Sequence, residues 1–132
     1  MKKIKLTSIL PLIALIMMLA TGIPAYADGD AKIKFKETVF DFGEVSLKGG
    51  KVSHDFMFTN DGKKNLVITN ARADCGCTRP EYSDAPVAPG KSGKLKVTYV
   101  PAGEGHFSKK VTVTTNGNPR KVRLLIKGEV VK

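Results

Sequence analysis

Residues 51–60 read KVSHDFMFTN, and this pattern predicts a half-buried β-strand. Its larger, mostly apolar side chains alternate with more polar ones, which is the period of two expected of a strand with one buried face. The NDGKK sequence at residues 60–64 then supplies a turn. The segment therefore indicates a β protein whose core includes two phenylalanines. The apolar row consists of Val52, His54, Phe56 and Phe58.

Similar segments lie on both sides of this strand. Upstream, Ile33–Val39 runs into VFDFGEV, where Gly43 is expected to end or bend the strand. Downstream, NLVITNARA at residues 65–73 leads directly to the only two cysteines. PEYSDAPVAPG at residues 80–90 holds three prolines, so it is predicted to be a loop or a short edge strand. The last three strands have these apolar rows: Leu95, Val97 and Tyr99; Phe107, Val111 and Val113; Val122, Leu124 and Ile126.

The number and spacing of these segments predict an all-β fold, a single antiparallel Ig-like β-sandwich of about seven strands. Two features of antibody domains are missing from the sequence. It contains no Trp, and its two cysteines are too close together to bridge opposite sheets. The Ig-like description therefore refers to architecture only.

Residues 1–27 are predicted to be a cleaved secretory signal peptide. Three lysines near the start precede an apolar run at residues 6–20, and residues 25–27 form an A-x-A cleavage signal. The run is shorter than the ~20 residues needed to cross a bilayer. We therefore expect an exported mature domain at residues 28–132, in the periplasm or at the cell surface, without a transmembrane segment after cleavage.

The mature domain has an excess of basic side chains. Removing the leader takes away three lysines and no acids, which leaves 19 basic and 12 acidic residues. Such a charge could favour anionic partners. However, Lys94 and Lys96 alternate with apolar residues, as on the solvent-exposed face of a sheet. The sequence contains no basic block or aromatic pattern that resembles a nucleic-acid-binding module. We therefore expect another protein or a cell-envelope component as partner, and no nucleic acid.

The order of several motifs identifies a family. They are FG near the start, F-x-F-T-N-D-G followed by L-x-I, C-G-C-T, A-P-G-K-S-G, F-x-K-x-V-x-V-x-T-N and a closing I-K-G-E-V. In these the chain resembles the bacterial domain-of-unknown-function family fifteen-seventy-three, and it is more distantly similar to the sandwich domains of the major sperm protein and Hydin-like group. The resemblance implies an exported Ig-like domain, and the distant similarity implies a non-catalytic binding or assembly module.

The DCGCT sequence at residues 74–78 is the candidate site. A disulfide requires Cα atoms about 4.4–6.8 Å apart, and an extended pair two residues apart lies near the upper limit. The backbone freedom of Gly76 is therefore predicted to bring Cys75 and Cys77 together. So small a loop would stabilise the fold by only about 1–2 kcal/mol. The supporting loop residues are Asp74, Gly76, Thr78 and Arg79.

Several roles remain open for the two cysteines. They could form a labile disulfide that exchanges with another thiol. Flanking Arg72 and Arg79 would favour the thiolate form of the cysteines, and Asp74 would oppose it. They could bind Cu(I), which accepts two thiolates, although we predict no resident metal. A zinc site would also need His54 and His106, and His54 is predicted to be packed instead. Intermolecular disulfides or simple packing at the turn are the remaining possibilities.

No enzyme signature accompanies the cysteines. GKSGK at residues 90–94 lacks the spacing of a phosphate-binding loop and leads into a strand. The acidic residues are scattered, with no spacing that pairs them for acid–base catalysis. We therefore predict no catalytic residue and no cofactor.

Overall fold

The computed structural model describes residues 30–132, which form eight strands. The predicted signal peptide lies outside the described residues. Within them, no helix has the length and apolar character needed to cross a bilayer. The strands are β1 (Ile33–Phe35), β2 (Val39–Ser46), β3 (Val52–Asn60), β4 (Ile68–Ala73), β5 (Thr78–Tyr82), β6 (Ser92–Tyr99), β7 (Gly105–Thr115) and β8 (Lys121–Val131).

The strands form two four-stranded sheets. Sheet I has the order β1-β3-β6-β5, and sheet II has the order β2-β8-β7-β4. Neighbouring strands are antiparallel except for β2 and β8, which pair in parallel. The predicted Ig-like β-sandwich is confirmed, with one parallel pair that the sequence pattern did not indicate.

The eighth strand arises at the start of the domain, where one segment was predicted. β1 pairs with β3 in sheet I, whereas β2 pairs with β8 in sheet II. The chain crosses between the sheets at residues 36–38, so the segment that was predicted as one strand contributes a strand to each sheet. Gly43 bends β2 as predicted, because it has a φ of 67° and lies at a register shift.

The core lies between the sheets and contains the predicted apolar rows. The side chains of Phe56, Leu95 and Val113 are fully buried. Tyr99 of sheet I stacks on Phe107 of sheet II, with ring centroids 3.9 Å apart. The strands therefore present their apolar faces inward, as the period of two requires.

Asn60, at the end of β3, is also fully buried. Its amide nitrogen donates to the carbonyl oxygens of Lys64 and Val87, at 2.7 and 2.8 Å. Its amide oxygen accepts from the backbone N–H groups of Lys32 and Gly62, at 3.2 and 2.9 Å. One side chain thus fixes three backbone segments, including the proline-rich loop that follows β5.

Candidate functional site

The two cysteines form a disulfide in the turn between β4 and β5, with Cα atoms 5.3 Å apart. The backbone N–H of Cys77 donates to the Sγ atom of Cys75 at 3.1 Å. Within the same turn, the N–H of Thr78 donates to the carbonyl oxygen of Cys75, also at 3.1 Å. The turn is tied to β7 by the N–H of Asp74, which donates to the carbonyl oxygen of Lys110. The disulfide therefore lies in a hydrogen-bonded turn that joins the two sheets.

The role predicted for Gly76 in closing this turn is wrong. The positive φ values in the described chain belong to other glycines, namely Gly43, Gly50, Gly90 and Gly105. A Cβ atom placed on Gly76 would meet no atom within 4 Å. The turn brings the cysteines together with backbone angles that other residues also adopt, so the freedom of glycine is not needed here.

The two sulfur-bearing residues have different surroundings. Cys77 packs against the hydrophobic core, and its Sγ atom lies 3.8 Å from the hydroxyl of buried Thr78. Cys75 instead lines an open groove of about 580 Å³ between β4 and β5. Both cysteines are partly exposed, and Cys75 is the one that lines the groove.

The groove brings together the predicted supporting residues Asp74, Gly76, Thr78 and Arg79. Its other lining residues include Arg72 and Glu81, so it holds two cationic and two anionic side chains. Because the charges balance, the groove does not select strongly for ligands of one sign.

Among the strands of residues 30–132, β4 pairs with β7 alone, so its other edge, along this groove, is open. Backbone groups of an antiparallel strand point alternately to its two sides. Since Asp74 bonds to β7, this alternation directs the N–H and C=O groups of Ala71 and Ala73 to the open edge. The local sequence does not indicate this feature, since strand order determines which strand lies at an edge.

The histidines lie apart from the disulfide. His54 stacks on Phe40 and hydrogen bonds to Glu37, so its predicted packing is confirmed. The side chain of His106 is 84% exposed and lies 3.9 Å from a carboxylate oxygen of Glu129. Across residues 30–132, no group of three or more His, Cys, Asp or Glu side chains is placed to hold a metal ion.

Comparison with known proteins gives a family and a fold. The family described as "Protein of unknown function (DUF1573)" matches residues 33–130. No curated protein matches the chain.

Several solved structures are similar at low sequence identity. A protein of unknown function from Porphyromonas gingivalis aligns with a TM-score of 0.67 and 16% identity, over 75% of this chain and 46% of its own. This chain thus spans less than half the length of that protein. The seventh PapD-like domain of human CEP192 aligns with a TM-score of 0.60 and 14% identity, over 78% of this chain and 87% of its own. A Caenorhabditis elegans MSP family member aligns with a TM-score of 0.49 and 9% identity, over 75% of this chain and 97% of its own.

Proposed function

The chain belongs to the DUF1573 family of proteins of unknown function, and we propose that it is an exported, non-catalytic module for binding or assembly in the cell envelope. Its partner would be another protein or an envelope component rather than a nucleic acid. The fold is consistent with this role, because sandwich domains position edges and loops without requiring a catalytic site.

The open edge of β4 carries the proposal. Ala71 and Ala73 direct backbone donors and acceptors outward, while their side chains pack against the core. The groove beside this edge has a volume of about 580 Å³. An extended segment of a partner could therefore add to sheet II as a further strand, with side chains entering the groove.

Site-specific photocrosslinking in the producing cells tests this proposal. A photoreactive residue at Glu81, beside the groove, should give a discrete adduct, whereas one at the exposed Lys34 in β1, at the opposite edge of sheet I, should not. The variant Ala71→Pro should abolish the Glu81 adduct, because it removes an edge N–H. Circular dichroism would verify that this variant folds. Equal adducts from both positions, or adducts unaffected by Ala71→Pro, would contradict edge recognition.

Export is a separate part of the proposal and can be tested by itself. The intact mass of the protein from an envelope fraction should correspond to residues 28–132. A mass that still includes residues 1–27 would show that the leader is retained.

The disulfide favours a second candidate, a thiol-active domain that exchanges disulfides or handles Cu(I). Cys75 and Cys77 are bonded to each other, and the turn that holds them opens onto the groove. Disulfides at accessible positions are typical of labile or regulatory pairs. In this role Cys75 and Cys77 would be the reacting residues or, when reduced, the copper ligands.

Titration of the mature domain separates the two candidates. Alkylation and intact mass across a series of thiol redox buffers would give the reduction potential, and a Cu(I) titration of the reduced domain would give its metal uptake. A potential well below about −300 mV without copper uptake would exclude the thiol-active candidate. It would leave the binding module unaffected.

A further inference from the structure

We propose that the outer face of sheet II pairs with the same face of a second copy of this chain, about a two-fold axis. The interface would lie on β2 and β8, the two strands that pair in parallel. It is separate from the edge of β4 and from the disulfide, so it does not depend on the functions proposed above. The distribution of apolar and charged side chains along these two strands indicates what the face can bind.

The centre of this face is apolar. Val39 of β2 and Leu125 of β8 are direct neighbours in the parallel register. Val39 is 47% exposed and Leu125 is partly exposed, whereas Leu124 and Ile126 are buried. Since successive side chains of a strand point to opposite faces, Leu125 points away from the core. The two neighbours therefore form an apolar patch in contact with solvent.

Acidic side chains lie on one side of this centre, around a groove of about 470 Å³. Asp41 and Glu44 on β2 are both exposed. The titratable residues that line the groove are Asp41, Glu44, His106, Lys127 and Glu129. Three carboxylates thus accompany one lysine, and the groove is negatively charged whether or not His106 is protonated. It is suited to a cationic side chain.

Basic side chains lie on the other side of the centre. Lys121 and Arg123 of β8 are exposed, and their cross-strand neighbours on β7 are the uncharged Thr114 and Thr112. On the other side of β8, the register with β2 begins only at Leu125. Within sheet II, no carboxylate therefore lies directly opposite these two cations.

The inner charges lie at matching distances from the apolar centre. Asp41 is two positions after Val39 on β2, and Arg123 is two positions before Leu125 on β8. Alternate positions of a strand are about 6.5–7 Å apart. Because the strands are parallel, the two charges are displaced by this distance in opposite directions.

The outer charges match in the same way because of the bulge at Gly43. The register shift between Asp41 and Glu44 brings Glu44 beside Glu129, which is four positions after Leu125. Lys121 lies four positions before Leu125. Glu44 and Lys121 are therefore also displaced equally and in opposite directions.

A two-fold axis perpendicular to the sheet, between β2 and β8, would place β2 of each copy over β8 of the other. The facing pairs would be Val39 with Leu125, Asp41 with Arg123, and Glu44 with Lys121. Each pair occurs twice, as an isologous interface requires. This face supplies the complement of each of its own charges, which favours a second copy over an unrelated partner. Since two strands offer less area than the ~800 Å² per partner of a standard interface, we expect a weak dimer.

Sedimentation velocity of the mature domain, at concentrations up to about 1 mM in low salt, tests this interface. We expect the wild type to dimerise as its concentration rises and to dissociate when salt is added, because salt screens exposed charges. Arg123→Asp and Asp41→Lys should each weaken self-association at least about tenfold, since each brings like charges together twice. Asp41 also accepts from the N–H of Gly43, but this bond is exposed and water can replace it.

Lys94→Asp is the matched control. Lys94 is exposed on β6 of sheet I, and its replacement changes the net charge as much as Arg123→Asp does. It should leave the self-association unchanged. A wild type that stays monomeric at all concentrations, or equal weakening by Lys94→Asp and Arg123→Asp, would overturn the proposal.

An equimolar mixture of two variants tests the two-fold arrangement itself. When an Asp41→Lys chain meets an Arg123→Asp chain, opposite charges face each other again at both positions. The mixed dimer should therefore form at least about tenfold more tightly than either variant does with itself. Glu44→Lys and Lys121→Glu are a second pair with the same expectation, for use if circular dichroism shows that a variant of the first pair is unfolded. A mixture that associates no more tightly than its components would overturn the arrangement.

Discussion

The imidazole of His54 stacks on the ring of Phe40, with ring centroids 3.5 Å apart and planes 6° from parallel. His54 belongs to β3 in sheet I and Phe40 belongs to β2 in sheet II, so this aromatic pair joins the sheets. The same imidazole hydrogen bonds to Glu37, in the segment that crosses between the sheets. His54 therefore stabilises the crossover that divides the first predicted strand into two.

We expect His54→Ala to lower the free energy of unfolding by about 2–3 kcal/mol, since it removes both the stacked ring and the hydrogen bond. His54→Phe keeps an aromatic ring on Phe40 and should cost less than half as much. Urea denaturation of the two variants measures the difference. Equal losses would show that stacking between the sheets contributes little.

Asn60 should be among the most sensitive polar positions of the domain. Asn60→Ala leaves two backbone N–H groups and the carbonyl oxygen of Lys64 without their partner, around a fully buried side chain, whereas the carbonyl oxygen of Val87 still accepts from the N–H of Leu66. We expect a loss of about 3–5 kcal/mol in the free energy of unfolding, since each unsatisfied buried group costs roughly 1–3 kcal/mol.

Asn116 provides a matched control for this variant. Its amide also bonds to backbone groups, those of Val67 and Asn65, but the side chain is exposed. Water can replace these bonds, so Asn116→Ala should cost about 1 kcal/mol or less. Similar losses for the two alanine variants would contradict the importance of burial at Asn60.

Tyr99 should make the stability depend on pH in alkaline solution. Burial raises the pKa of the Tyr99 phenol above its ordinary value of about 10, so the folded state holds this proton more tightly than the unfolded state does. Its contribution is fully present below pH about 10 and is lost as the pH rises further. Above pH 10, the free energy of unfolding of the wild type should therefore fall relative to that of Tyr99→Phe. A difference independent of pH would contradict this account.

The sequence predicted the fold well because alternation records which face of a strand is buried. The rows around Phe56, Leu95 and Val113 each keep a period of two, and each lies in the core. Alternation does not record which strands are neighbours. For this reason the parallel pairing of β2 with β8 and the division between β1 and β2 were not predicted.

The candidate site was predicted in its residues but not in its geometry. The spacing of Cys75 and Cys77 indicated a possible disulfide, and the adjacent proline-rich segment indicated an edge. Which sulfur faces the groove depends on how the turn packs against the core, and the open side of β4 depends on strand order. Neither property can be predicted from the local sequence. The prediction about Gly76 was wrong for the same reason.

Gly76 should tolerate a side chain. Its Cβ would meet no atom, and its φ does not lie in the left-handed region, so Gly76→Ala should change the free energy of unfolding by less than about 1 kcal/mol. Gly43 is a matched control, because it also has open space but has a φ of 67°. Gly43→Ala should cost about 1–2 kcal/mol through backbone strain. Intact mass after alkylation would verify that the disulfide still forms, and its loss in Gly76→Ala would contradict the prediction.

The disulfide should contribute little to global stability. It closes a loop between residues two apart, so the chain-entropy estimate is about 1–2 kcal/mol, compared with roughly 3 kcal/mol for a 15-residue loop. We therefore expect the double variant Cys75→Ser with Cys77→Ser to unfold cooperatively in urea with a loss of no more than about 2 kcal/mol. The free energy of unfolding of the reduced wild-type domain should fall by a similar amount, because this form also lacks the disulfide although its residues are unchanged. A loss above about 4 kcal/mol in both would make the disulfide a principal element of the fold. A large loss in the double variant alone would instead assign the effect to packing of the Cys77 side chain against the core.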